Sequence, residues 1–160
     1  MSLLEWVEKG EIIEWVEKGD IKEVRKCIKQ GADINASDTM GWAALSWASF
    51  KGYTEIVQLL LVNGADVDSK SAFGWTALMW ASSRRNIELV KLLLENGASM
   101  ELENNAGETA LMCSISRGNT DAVKVLVDEI VRRKQLKIAR YTILRHTNFH
   151  LAQEIAVRMN

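Results

Sequence analysis

Residues 41–70, "GWAALSWASFKGYTEIVQLLLVNGADVDSK", are answered one unit later by residues 74–103, "GWTALMWASSRRNIELVKLLLENGASMELE". The correspondence extends along the chain in several registers at once. Gly31, Gly64 and Gly97 are spaced 33 residues apart, as are Gly41, Gly74 and Gly107. Leu45, Leu78 and Leu111 keep the same step, and so do Val24, Val57, Val90 and Val123. A fixed period of this length marks a stack of supersecondary units, none of which can bury its apolar face alone. Within one unit, Ala43 to Phe50 is short, rich in small residues and compatible with a helix, and Gly52 breaks it. Thr54 to Val62 reads as a second helix, with Ile56, Val57, Leu59, Leu60 and Leu61 apolar around more than one face. So wide an apolar stripe has to be covered on both sides. Gly64 closes that helix, and "ADVDSKSAFG" (65–74) supplies extended and turn residues.

These residues resemble the ankyrin repeat family. "GWTALMWAS", "NIELVKLLLENGAS" and the full 41–70 stretch carry its glycine, helix and Gly-Ala-Asp positions, over roughly residues 11–130. The resemblance implies an all-α solenoid of helix-turn-helix repeats with projecting β-hairpin-like loops. The chain departs from the family at the Thr-Pro-Leu-His motif, here "AALS" (43–46), "TALM" (76–79) and "TALM" (109–112). In the family that histidine bonds neighbouring backbone, so its loss implies a weaker ladder between repeats.

The period divides the chain into a first repeat at 11–38, then repeats at 39–71, 72–104 and 105–131. Glu23 and Lys26 replace Ile56 and Leu59 of the next unit, giving repeat 1 the polar outer face that an end unit needs. Residues 132–160 read as a degenerate capping unit, in which Leu151, Ala152, Ile155 and Ala156 echo Ala122, Val123, Leu126 and Val127. At the other end "LLEWVEKGE" (3–11) is followed directly by "IIEWVEKGD" (12–20), six of nine positions being identical. Either copy can supply the first helix of repeat 1. The spare copy (residues 1–10) is an added helix, an extension, or a competitor for the same groove.

Composition limits the function. Apolar residues are 48% and charged residues 26%, with a formal net charge of −1, which gives no general attraction to nucleic acid or acidic membranes. Charge is nonetheless segregated: residues 1–19 hold five glutamates against two lysines, and Arg132 to Arg145 hold six basic residues and no acid. Opposite ends allow weak, salt-sensitive head-to-tail association, or a monomer. The basic stretch "RRKQLKIAR" (132–140) reads as a charged cap helix, because a nucleic-acid reader shows basic residues across several repeats. Cys27 and Cys113 lie far from any metal or redox spacing and read as buried reduced thiols. The absence of a signal-like start and of an 18-residue apolar run leads to the expectation of a cytoplasmic or nuclear protein without a membrane span.

No catalytic constellation is visible, and no cofactor or small-molecule substrate is expected. His146 and His150 share a helical face spacing, but no third ligand is near in sequence. Cys113 falls in the register of Trp47 and Trp80, which makes it a repeat position rather than a nucleophile. The functional signal is aromatic. The resemblance places the concave groove on Met40, Trp42, Trp47, Phe50 and Lys51 of repeat 2, Phe73, Trp75, Trp80 and Arg84 of repeat 3, and Glu108 and Arg117 of repeat 4. Trp47 and Trp80 each precede a core alanine, so packing between units is as open to them as facing a partner. The expected function is a protein-interaction module that binds a protein or peptide across repeats 2–4. Two alternatives stand beside it: a regulatory array masking an enzyme or channel domain, and an engineered binder, the latter opposed by irregular repeats and free cysteines.

Overall fold

The computed structural model describes residues 12–146, with side chains through residue 137. Eight helices appear in this range and no strand does. Residues 12–18 form α1, followed by α2 (Ile21–Lys29), α3 (Ala44–Lys51) and α4 (Thr54–Val62). After these come α5 (Ala77–Ser83), α6 (Ile87–Glu95), α7 (Ala110–Ser116) and α8 (Thr120–His146). The helices α2 to α7 are seven to nine residues long, below the length at which a helix persists alone in water. Stacking must therefore hold them. The inner helices α3, α5 and α7 pack in succession, and α2, α4 and α6 form the second layer.

Helix α4 shows why the apolar stripe runs so far around. Its Ile56, Val57 and Leu60 are buried, and its neighbours in the outer layer are α2 on one side and α6 on the other. Each such aliphatic side chain contributes about 1.5–3 kcal/mol when fully buried. At the N-terminal end, Ile12, Ile13 and Val16 of the second "WVEKG" copy are buried, so this copy supplies the first helix of repeat 1. The first copy lies outside the described residues, as do residues 147–160 and with them His150 of the histidine pair. Glu23 and Lys26 are paired with each other on the surface of α2, at 3.2 Å.

The projecting loops repeat one geometry. Asp38, Ser71 and Asn104 each accept from the glycine three residues on, at 2.9, 2.8 and 2.9 Å, and donate to the carbonyl of residue 42, 75 or 108 at 3.0 Å. Adjacent loops are tied by main-chain bonds from Ala72 to Met40 (3.1 Å) and from Asn105 to Phe73 (3.1 Å). That close approach requires glycine. Gly41 and Gly74 have φ of +70° and +76°, and a β-carbon would sit 2.9 Å from Ala72 N or 2.8 Å from Asn105 N.

The family's histidine positions are held by Ser46, Met79 and Met112, and the Ser46 hydroxyl is buried without a hydrogen-bond partner. Amides and carboxylates elsewhere link the repeats. Asn86 Nδ2 donates to Gly52 O (3.4 Å) and Thr54 Oγ1 (3.3 Å), and Asn119 Nδ2 to Ser82 O (2.7 Å). In the loops Asn35 Oδ1 accepts from Asp66 N (2.8 Å), and Asp68 Oδ1 from Ser99 N (2.9 Å). A polar ladder between units is thus present, carried by the residues at the starts of the outer helices α6 and α8 and by the loops instead of by the inner-helix starts.

Packing divides the chain into two units, one ending at Val125 and the next beginning at Leu126. The boundary drawn from sequence at 131/132 falls inside α8, which continues to His146. No glycine or proline interrupts Thr120–His146, so nothing local stops the helix. Beyond Leu126, Glu129 accepts from Arg132 Nη2 (2.6 Å) and Arg133 Nε (2.8 Å). Hydrogen bonds from the Arg132 guanidinium, then from Arg133, lower its carboxyl from 4.5 to about 2. No helix among the described residues is long and apolar enough to cross a membrane.

Candidate functional site

The aromatic residues of repeats 2 and 3 converge because each inner helix places its fourth residue next to the residue at its preceding loop corner. Trp47 on α3 lies 4.7 Å, centroid to centroid, from Trp42, and Trp80 on α5 lies 4.1 Å from Trp75. The two pairs join across the repeats: Trp42 and Trp80 stack at 4.7 Å and 28°. The result is a run of four indoles in the order Trp47, Trp42, Trp80, Trp75. Phe50 meets three of them edge-on, at 5.4 Å from Trp42, 6.1 Å from Trp47 and 5.0 Å from Trp80. Aromatic pairs of this kind contribute about 0.5–1.5 kcal/mol each beyond area burial. All five rings are half-buried. Packing between units and display at the surface are therefore both true of Trp80: one part of the ring locks repeat 3 to repeat 2, and the rest remains open.

The indole nitrogens differ. Asp38 accepts Trp47 Nε1 through Oδ2 at 2.9 Å, while its Oδ1 accepts Met40 N (2.8 Å) and Trp42 N (2.9 Å). One unit on, the acidic residue is replaced by Ser71, whose Oγ accepts only Trp75 N, at 3.3 Å. Trp80 Nε1 is buried with no hydrogen-bond partner. In repeat 4 the position is Asn104, which accepts Ala106 N and Glu108 N through Oδ1 (2.9 and 3.0 Å) and donates to Glu108 Oε2 (2.9 Å).

The remaining expected residues surround the rings unequally. Met40 and Phe73 are exposed at the loop tips, 47% and 53% respectively. Lys51 Nζ lies 5.9 Å over Trp47, and the Arg84 guanidinium 4.0 Å over Phe50. Arg117 joins Phe50, Trp80, Ser83 and Arg84 in lining a cleft of about 300 Å³. Glu108 is half-buried and committed to Asn104. Asp38 was not legible from sequence, since its bond to the Trp47 indole depends on side chains nine residues apart meeting, nor was Ser71, whose hydroxyl reaches only the main chain of Trp75. Ser83 could have been found, because it shares Phe50's place in the period. Met112 and Ile115 on α7, exposed at 51% and 59%, were also missed. Met112 shares a register with Met79, which is buried, so equivalent positions of the period differ in exposure.

Cys113 is buried and not in a disulfide. Burial, then the nearby Glu108 charge, raises its thiol from 9.0 to about 11, so it remains protonated and poorly nucleophilic at neutral pH. Among the described residues no group of three or more His, Cys, Asp or Glu is placed to hold a metal.

A two-layer stack of short paired helices, tied by β-turn loops with a 33-residue step, defines a helical repeat protein with an aromatic surface on its inner helices. The family profile for ankyrin repeats in three copies matches residues 12–71 and 48–142, and the chain belongs to the ankyrin repeat family. It is also similar to a VAPYRIN-LIKE protein of Medicago truncatula, 44% identical over 36 residues. That match covers 22% of this chain and 8% of the plant protein, so the chain spans only a small part of this relative's length. Ankyrin repeats are in general protein-interaction modules and not enzymes.

Proposed function

We propose that this chain binds a protein or peptide partner across the face formed by the loop tips and inner helices of repeats 2–4. The carrying observation is the aromatic wall. Trp42, Trp47, Phe50, Trp75 and Trp80 are gathered into one half-open surface, with Met40 and Phe73 projecting beside it. Rigid aromatic groups supply contact area at low entropic cost and are the side chains most enriched where binding energy concentrates. The rings are held by one another before any partner arrives, so association does not have to order them. Glu108, in the register of Trp42 and Trp75, is tied to Asn104 and holds its own loop.

The test uses peptides selected from a random display library on the full chain. Affinities of the enriched peptides are then compared between the native chain and a Met40→Ser/Phe73→Ser variant, whose altered side chains are exposed and leave the core intact. A loss of about tenfold or more, roughly 1.4 kcal/mol, is expected. Unchanged affinity places the binding site elsewhere and refutes the proposal.

A further inference from the structure

The charge around the aromatic wall narrows the partner, on the reading that this wall is the binding face. Lys51, Arg84 and Arg117 occupy one position of the 33-residue period, each at the end of an inner helix. All three are exposed, and among the described residues none is in an ion pair with a carboxylate. Two of them instead lie over aromatic rings, Arg84 over Phe50 and Lys51 over Trp47. Arg84 and Arg117 share the 300 Å³ cleft with Phe50, Trp80 and Ser83, so two guanidinium groups border one apolar floor. A fourth cation is kept nearby against the backbone's preference. Arg85 has φ of +60°, where the units before and after place Gly52 (+79°) and Gly118 (+64°). A side chain is disfavoured in that conformation.

We propose that this cleft receives a glutamate or aspartate side chain of the bound peptide, with an apolar residue beside it lying against Phe50 and Trp80. The guanidinium forks of Arg84 and Arg117 match a carboxylate in geometry as well as in charge. The ring wall excludes water from one side and so strengthens the pairing. Lys51, over Trp47, adds positive potential to the same aromatic wall and favours peptides with further acidic residues. A single-stranded nucleic acid suits the face less well. Base recognition of that kind stacks bases on free aromatic surfaces, and Trp80 already stacks on both Trp42 and Trp75, while Trp42 also lies tilted against Trp47.

The experiment selects peptides from a random display library on the native full-length chain and, in parallel, on an Arg84→Glu/Arg117→Glu variant of unchanged melting temperature. Selected peptides are titrated by fluorescence anisotropy. Native selections are expected to enrich Glu or Asp next to an apolar residue, and replacing that acid by Gln or Asn is expected to weaken binding about tenfold. The charge-reversed variant is expected to bind those peptides about a hundredfold more weakly and to enrich Lys or Arg in its own selection. Should that variant fail to fold, Arg84→Lys/Arg117→Lys replaces it; retained charge without the fork is expected to cost several-fold. Enrichment of neutral peptides that ignore Arg84 and Arg117 yet lose affinity on Met40→Ser/Phe73→Ser overturns the acidic-partner inference while leaving the binding face standing. Peptides insensitive to both variants overturn the two together. An oligouridine probe bound more tightly than the best peptide also overturns it, in favour of nucleic acid.

Discussion

Trp80 carries a buried indole N–H without an acceptor, whereas its counterpart Trp47 donates to Asp38, and the difference can be repaired by one substitution. Asp38 accepts three donors: the main-chain N–H groups of Met40 and Trp42, and Trp47 Nε1. Ser71 stands in the same place one unit later and accepts one, while Trp80 Nε1 is buried without a partner. Ser71→Asp is therefore expected to stabilise the chain. An unsatisfied buried donor costs about 1–3 kcal/mol, and a hydrogen bond to a charged group contributes about 1.5–3 kcal/mol. Against this stands the desolvation of the new carboxylate, because Ser71 is only 5% exposed. The balance is a gain of about 1–2 kcal/mol, or a rise of roughly 3–6 °C in melting temperature for a chain of this size. The reverse exchange, Asp38→Ser, removes two of the three acceptor contacts by the pattern of Ser71 and is expected to lose about 2 kcal/mol. Thermal and urea unfolding followed by far-ultraviolet circular dichroism measure both without relying on the indoles as probes. A fall in melting temperature for Ser71→Asp, or equal effects of the two exchanges, refutes the account of the orphaned indole.

Three further outcomes are expected from the geometry. Gly74→Ala is expected to destabilise by about 1–3 kcal/mol more than Gly107→Ala, because both have φ near +75° but only at Gly74 does a β-carbon collide with the next loop; paired urea titrations decide it, and equal losses would sink the loop-contact explanation. Arg85→Gly is expected to raise stability by about 0.5–1 kcal/mol, relief of left-handed strain exceeding the added freedom of the unfolded chain, and a decrease in the unfolding midpoint would show that Arg85 makes compensating contacts. The Glu129 carboxyl, held at about 2 by Arg132 and Arg133, adds stability that is fully present above 4.5 and is lost as pH falls from there towards 2. Its titration is observable by carboxyl-carbon NMR, with a midpoint near 4.5 as the contrary result, and Glu129→Gln is expected to flatten the acid side of the stability profile.

The amino-acid pattern by itself determined the period, the pairing of helices, the fold family and the positions at which aromatic and basic residues recur. These come from local rules: glycine where the chain must turn, small residues in the inner helix, and apolar residues around a helix that is covered on both sides. It also showed that the histidine of the inner-helix motif was missing, but not that Asn86, Asn119, Asn35 and Asp68 bridge the repeats in its place. Nor did it show that "VRRKQLKIAR" continues α8 without a break. Tertiary structure alone decided that the four tryptophans of repeats 2 and 3 stack into one run, that only one of the two inner-helix indoles has an acceptor, and that Lys51, Arg84 and Arg117 face rings or a cleft instead of carboxylates. The physical reason is the same in each case. A period of 33 fixes which residues are equivalent, whereas contacts between units depend on how far one inner helix is rotated and displaced over the next, and that is set by the packed side chains of both repeats together.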